Sequence, residues 1–456
     1  MSASQLRSSL GPFKLFAIAF GSIIGIGWIT LVGIWLAAAG PFGSVLAFGL
    51  GCLSVCLIGL AYAELALLLP QAGGEVAYAH AAFGRPLAFV AGWALLMVYV
   101  AVIAFESISV GWVLGAIWPD LSAAWPVDTP MGPELLAGLV VGITVIWANI
   151  GGAHAAAAVQ TVLTMVKIAA CAIFIVAAMA FGEASNLAPH FGAAAAGGDL
   201  SGIATVFATS FLFYAGFNFL TQGIEERAPG VSVGQVVMAI IGSIVCAFLF
   251  YALIIVAVGM LLPVDRLAGL NLPAADAFEI ALGSAALKNL VLGAGLVGLV
   301  TAWNGTLFGA SRMLLSLARA GLVPTLFAGV SRRTGTPVAA ILVISVLAMG
   351  VATLGKGAIG AIVGVAVTGV PLTWVVVTAA ALKLRKSPAE RAFTVPFGRA
   401  IFVAALLVSL AGTAIALHDV TISANHLGLT ALGLWAGAGV LLWLFIGSRA
   451  AAKENL

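Results

Sequence analysis

The sequence is poor in charge. Of 456 residues only 8% are Asp, Glu, Lys or Arg, while 63% are hydrophobic; soluble domains carry roughly 25% charged residues. That imbalance excludes a soluble globular domain and points to a polytopic membrane protein. Cysteine is nearly absent. Cys52, Cys56, Cys171 and Cys246 all fall in apolar stretches, so a disulfide framework is excluded and each reads as a small packing residue. Histidine is just as sparse: His80, His154, His190, His418 and His426 are scattered, and no metal site is expected, since a metal needs ligands close together. No clustered acid, base or nucleophile marks an enzyme. No cofactor and no nucleic-acid partner is expected, and no low-complexity linker or soluble domain interrupts the chain. Arg7 and Lys14 precede the first apolar run without a small-residue cleavage site, so that run reads as a retained helix and not a signal peptide.

What is present is a series of long apolar runs. About twelve spans are expected, near residues 14–38, 44–69, 87–117, 135–152, 157–181, 202–224, 233–261, 286–317, 338–355, 358–382, 399–418 and 427–446. Residues 1–13 and 447–456 then form short tails. With the N-terminus inside, fifteen basic residues, from Arg7 and Lys14 to Arg449 and Lys453, lie at the inner face. Only Arg266, Lys288 and Lys356 fall outside, and this bias predicts cytoplasmic termini. The outer loops hold Asp120, Asp128, Glu183, Asp199, Asp265, Asp276 and Asp419. The cluster Lys383, Arg385 and Lys386 is explained by the same inside-positive topology, with contact to anionic lipid as the lesser reading.

Two spans are interrupted. In the first, Gly21, Gly25 and Gly27 fall within seven residues; in the sixth, Gly216 follows Phe211-Leu212-Phe213-Tyr214-Ala215. Glycine disfavours an unbroken helix, and broken backbone at membrane depth survives only where protein, water or a ligand satisfies it. Non-helical backbone is therefore expected over 21–27 and 211–216, lining one shared cavity. The breaks recur five spans apart, and an odd repeat inverts the second half in the membrane, as in transporters built from inverted repeats. The transport core is then 14–382, in halves 14–181 and 202–382, with two further helices over 398–446.

These features resemble the amino acid/polyamine/organocation transporter superfamily. The likeness includes Tyr62-Ala63-Glu64-Leu65, Pro70-Gln71-Ala72-Gly73-Gly74-Glu75-Val76-Ala77-Tyr78, Ala82-Phe83-Gly84, the stretch from Asn304 through Ser311-Arg312-Met313 to Pro324, and Glu225-Glu226. The resemblance implies an all-α membrane protein of about twelve helices in the five-plus-five inverted-repeat fold of the bacterial leucine transporter, with helices 1 and 6 broken. It further implies secondary transport of an amino acid or amine by alternating access in the cytoplasmic membrane. The chain departs from the family at Asn218, where an acidic residue is usual, at Ala228-Pro229 in place of Asn-Pro, and at Trp28, where a smaller residue is commoner.

The expected substrate contacts are Ile23, Gly25, Ile26, Gly27, Phe211, Phe213, Tyr214, Gly216 and Asn218. Amides of Ile26 and Gly27 at the start of a half-helix suit a carboxylate, and carbonyls near Ile23 and 213–215 suit an ammonium. The aromatics could instead be packing. Three ionisable residues lie inside spans, where each costs ~2.5 to 3.5 kcal/mol unless paired or hydrated. Glu64, near the inner surface, is expected to pair with an Arg such as Arg312. Glu106 is a proton carrier, a counter-ion for a basic substrate, or a partner of Trp112 or Lys167. Lys167 looks like the fifth-helix Lys that occupies the place of a sodium ion in sodium-coupled relatives, held by carbonyls near Gly21 and Ile23 or by Thr306. Sodium-independent, proton-coupled transport follows as the leading expectation. An exchanger, a polyamine or ethanolamine permease, a channel and a membrane-embedded enzyme are the alternatives.

Overall fold

The computed structural model describes residues 6–119, 133–192, 200–387, 390–422 and 426–454. Asp120, Asp128 and Asp199, expected in outer loops, lie outside the described residues, as do the first five and last two residues of the tails. Among the described residues the chain is helical, with one isolated parallel bridge between Leu10 and Arg227.

The first helices in chain order are α1 (Pro12–Ile23), α2 (Gly27–Thr30), α3 (Val32–Leu68), α4 (Glu75–Phe83), α5 (Arg85–Ile117), α6 (Pro133–Ile150) and α7 (Ala153–Phe181). There follow α8 (Ser201–Tyr214), α9 (Asn218–Gln222), α10 (Val233–Leu261), α11 (Val264–Leu267), α12 (Pro273–Leu282) and α13 (Ala285–Arg319). The chain closes with α14 (Val338–Ala352), α15 (Ile359–Leu384), α16 (Gly398–Ile422) and α17 (His426–Glu454). Among the described residues, ten helical segments are long and apolar enough to cross a membrane, and Leu135–Ile150 and Val338–Ala352 are shorter apolar helices.

Local chemistry sets several boundaries. Pro12 opens α1, where its missing N–H costs nothing. Ser232 and Gln235 form a reciprocal capping box at α10, and Ser284 Oγ caps α13 by accepting from Leu287 N. Within α3 the path kinks at Gly40, whose φ of 71° only glycine adopts freely, and Pro41 follows it. The kink's freed groups are satisfied by the segment after α7: Gly192 N donates to Ala39 O at 2.8 Å, and Phe42 N to His190 O at 2.9 Å. This is how broken backbone is kept out of hydrocarbon.

At one end the N-terminal segment is stitched to the residues after α9. Ser9 N and Leu10 N both donate to Glu226 O, and Ala228 N donates to Leu10 O. Beneath this stitch Glu226 and Arg312 form a fully buried pair, Nε to Oε1 2.7 Å, while the Arg312 guanidinium lies 3.9 Å from the centre of the Phe308 ring. At the same end Arg319 meets Glu225 at 2.8 Å.

Two expectations need correction. The first break is shorter than 21–27: α1 stays helical through Ile23, the interruption is Ile24-Gly25-Ile26, and helix resumes at Gly27. Gly21 is helical because it is a packing residue; a Cβ there would fall 2.3 Å from Thr164 Oγ1. The second break is shifted as well. Phe211, Phe213 and Tyr214 belong to α8, and the interruption is Ala215-Gly216-Phe217.

Candidate functional site

The two breaks touch. Gly216 has φ 131°, and a Cβ on it would lie 2.9 Å from Ile23 N and from Ser22 C, so the second break packs directly on the end of α1. Asn218 closes this corner by accepting from Gly216 N through Oδ1 at 3.1 Å.

The carbonyls released at the first break find donors from two other helices. Lys167, fully buried on α7, donates through Nζ to Gly21 O at 2.9 Å, Ile24 O at 2.7 Å and Thr301 Oγ1 at 2.8 Å. Three acceptors match the three ammonium protons. Ile23 O is taken by Tyr251 OH at 3.1 Å, and Thr306 Oγ1 bonds its own helix at Ala302 O, so neither serves Lys167. Helical spacing on α7 explains why Lys167 faces α1: Gln160, Thr164, Lys167 and Cys171 are all buried on one stripe. Gln160 continues the seam by accepting from Asn304, which in turn accepts from Asn149.

A cavity of about 90 Å³ lies between the breaks. Of the residues expected from sequence, Ile23, Gly25, Ile26, Gly27, Phe213, Asn218 and Glu106 line it. Among the described hydrogen bonds, none is drawn from the amides of Gly25, Ile26 or Gly27. Phe211, Tyr214 and Gly216 do not line the cavity. Phe211 packs on Trp374 and Phe207, Tyr214 is held by its hydroxyl donating to Phe48 O at 2.8 Å, and Gly216 serves the break as backbone. The helical turn of α8 brings Leu212 and Phe213 to the cavity and leaves Phe211 and Tyr214 facing other helices.

Glu106 stands beside the first break, its Oε1 3.1 Å from where a Gly25 Cβ would be. Its Oε2 is buried and meets no donor. No ion pair joins it to Lys167, whose protons are already placed, and Trp112 supplies no donor to that oxygen.

Glu64 does not pair with Arg312. Its Oε1 accepts from Arg391 Nη1 at 3.0 Å, its Oε2 from Val395 N at 2.8 Å, and Arg385 approaches to 3.6 Å. The loop after α15 folds back under α3 and supplies these groups, whereas Arg312 is committed to Glu226.

Several positions at or beside the cavity escape a reading of the sequence. Trp374 and Leu95 line the cavity, yet an apolar residue in an apolar helix carries no signal. Tyr99 is one of only five tyrosines and sits in mid-span, a faint mark that could have drawn attention. Glu75 was visible only as part of a motif. It is fully buried, and its carboxylate accepts from Tyr62 OH, Asn218 Nδ2 and Gln222 Nε2, each at 2.9 Å.

A model of the amino acid permease family matches residues 10–446. A branched-chain amino acid permease of Lactococcus lactis is 30% identical over 322 residues, covering 68% of each chain. Another branched-chain amino acid permease, from Bacillus subtilis, is 26% identical over 348 residues, 74% of this chain and 72% of its own. A methylthioribose transporter of the same organism is 27% identical over 349 residues, again 74% and 72%.

Proposed function

The chain belongs to the amino acid permease family, and from that premise we propose that it is a secondary transporter of an amino acid or related amine, independent of sodium and coupled to protons. The family and its relatives support amino acid transport and a multi-pass membrane protein. The proposal extends to twelve spans in two inverted five-helix halves, α1–α7 and α8–α15, with α16 and α17 added, in the cytoplasmic membrane with both termini inside.

One observation carries the coupling half: Lys167 Nζ bound by Gly21 O, Ile24 O and Thr301 Oγ1. Backbone carbonyls and a hydroxyl are the ligand set a hard cation would use, and here a covalently attached ammonium occupies it. A diffusing cation has no vacant place there. If the ammonium releases one proton, two N–H donors remain for three acceptors, so one of Gly21 O, Ile24 O and Thr301 Oγ1 loses its donor and the first break is sensitive to proton exchange at Lys167. Glu106, beside the same break, is the second proton group of this reading.

The substrate carboxylate is assigned to the free amides of Ile26 and Gly27, where the helical path resumes and runs on toward Gly40. The ammonium is assigned to the carbonyl side of the breaks, with Phe213 and Asn218 closing the cavity. Its wall from Leu95 to Phe105 and from Ile362 to Trp374 is mostly apolar and favours an apolar substrate side chain. A basic amino acid is the second reading, favoured by the unpartnered Glu106 Oε2.

The test is uptake into proteoliposomes with sodium replaced by choline, under an imposed proton gradient, using radiolabelled L-leucine and L-lysine in parallel. Gradient-driven uptake of either without sodium is the expected result. Strict sodium dependence overturns the assignment of Lys167, and uptake indifferent to the gradient overturns proton coupling while leaving an exchanger or uniporter.

A further inference from the structure

A carboxylate occupies the corner that Asn218 leaves neutral. Asn218 borders the cavity, caps the second break through Oδ1, and turns its amide to Glu75 Oε1 at 2.9 Å and to Tyr99 OH at 2.9 Å. Gln222, one helical turn on, repeats the pattern: Nε2 reaches Glu75 Oε2 at 2.9 Å and also Tyr99 OH. Tyr62 OH supplies the third donor to Glu75. Four side chains from α3, α5 and α9 thus converge around one buried carboxyl group.

The charge is otherwise uncompensated. Facing Glu75 are Tyr62 from α3, Tyr78 from its own helix, Tyr99 from α5, and the neutral Asn218, Thr221 and Gln222 from α9. On α13 the buried cation Arg312 is committed to Glu226 and Phe308. On α15, Lys383 lies over Phe83 at the far end of α4. Among the described residues no cation pairs with Glu75. Burial pushes its carboxyl above the ordinary carboxylate range, against the pull of the Gln222, Asn218 and Tyr62 hydrogen bonds.

Position completes the picture. On one side Asn218 and Tyr99 line the substrate cavity. On the other, Ala72 and Val76, from the same turn and helix, line a surface pocket with Glu225 and Arg319 at the end of the molecule that carries the N-terminal segment. Glu75 lies between the two. Gln222 Oε1 is meanwhile buried without a donor.

We propose that Glu75 is a proton-binding site between the substrate cavity and the inner surface pocket, and that it communicates with the cavity through Asn218 and Tyr99. A proton arriving from water in the surface pocket forms an O–H bond on the carboxyl group. The group then donates one hydrogen bond and gives up one it had accepted. Gln222 has the matching acceptor: turned over about its terminal bond, its amide presents Oε1 to the new O–H. Asn218 and Tyr99 must readjust with it, and Asn218 also holds Gly216 N at the break. Loss of the proton reverses each step. As part of a transport cycle, this site rests on the function proposed above.

The experiment uses the full chain. Infrared difference spectra between acidic and neutral pH are recorded for Glu106→Gln in detergent, and for Glu106→Gln combined with Glu75→Gln. A carboxylic-acid C=O band that titrates in the first and vanishes in the second is expected; identical spectra overturn the proposal. Asn218→Asp adds a like charge beside Glu75 and is expected to move the midpoint of that band upward by about one pH unit or more. An unmoved midpoint overturns the communication with Asn218. In proteoliposomes, one pH unit sustains about tenfold accumulation at one proton per substrate. With L-leucine and L-lysine as probes, Glu75→Gln should lose that accumulation and lower counterflow far less. Equal loss of both overturns a coupling role. If the unaltered protein shows counterflow of neither probe, the transport reading fails, and the infrared result decides Glu75 independently.

Discussion

Lys167 Nζ lies 2.7 Å from Ile24 O, so a side chain on α7 holds open the backbone of a helix interrupted some 140 residues earlier in sequence. Replacing Lys167 by Ala removes this donor and leaves the carbonyls of Gly21 and Ile24 buried and unpaired. An unsatisfied buried acceptor costs about 1 to 3 kcal/mol, and a lowered thermal midpoint is expected. Accumulation driven by a pH gradient should disappear while counterflow persists at a reduced rate. Gradient-driven uptake at the unaltered level in Lys167→Ala would return the residue to a structural role.

Bulk at Gly27 should close the cavity without unfolding the protein. A Cβ there would sit 2.0 Å from Phe213 Cε1, so even Ala must displace that ring, and Leu fills the space where a carboxylate would approach the amides. Gly27→Leu is expected to lose thermal stabilisation by amino acids, which for the unaltered protein grows as RT ln(1 + [L]/Kd). Ordinary ligand-induced shifts in a well-folded Gly27→Leu would mean that the carboxylate is held elsewhere.

Glu106→Gln and Glu64→Asp should separate function from anchoring. Glu106 borders the cavity with a free oxygen, so its amide variant should lower transport by about a hundredfold or more, the lower end for a lost proton-transfer group, with a changed pH profile. Glu64 holds the loop at Arg391 and Val395 away from the cavity, and its shortened variant should change stability more than rate. Paired uptake and melting curves for the two variants decide this.

Arg312 and Glu226 offer a test of the buried pair. Arg312→Ala leaves a carboxylate stranded in the interior and should cost about 3 to 5 kcal/mol. Replacing both residues by Met and Leu removes the stranded charge and should recover much of that loss. Thermal midpoints of the single and double variants provide the comparison, and equal losses would show that the packing of Arg312 on Phe308 dominates.

Glu75 also gives the protein a pH-dependent stability of known sign. Its folded carboxyl is raised by burial, so between the unfolded value of about 4.3 and the folded one the native state holds more protons than the unfolded state. Stability attributable to Glu75 is therefore present at the acidic end and lost as pH rises through its folded pKa. The difference in thermal midpoint between the unaltered protein and Glu75→Gln should change with pH across that window. A constant difference would contradict the burial argument.

The breaks were legible because glycine clusters are rare enough to stand out against apolar helix, and the spans because hydrophobic length is a direct membrane signal. The exact interruptions were not. Gly21 and Gly27 serve close packing against Thr164 and Phe213, and a glycine used for contact looks the same in sequence as one used to bend the chain. Lys167 stood out as a charge in hydrocarbon. The partner of Glu64 did not, because Arg391 arrives from more than 300 residues away. Glu75 was hidden by its place at the end of a span: a carboxylate there reads as solvated until α9 and α5 are seen to enclose it.

At the far end of the chain, Trp93 and Trp435 exchange hydrogen bonds, each indole N–H donating to the other residue's carbonyl at 2.9 Å, with their rings stacked 4.7 Å apart. The pair is closed on itself like a clasp. Neither indole needs water, so the joint can sit in a greasy environment without penalty, and with Trp443 packed 5.3 Å from the Phe89 ring it fastens α17 to α5 over about two helical turns. Breaking the clasp would leave two part-buried indole N–H groups without partners in that environment, which ties α17 to α5 independently of the interrupted helices at the centre.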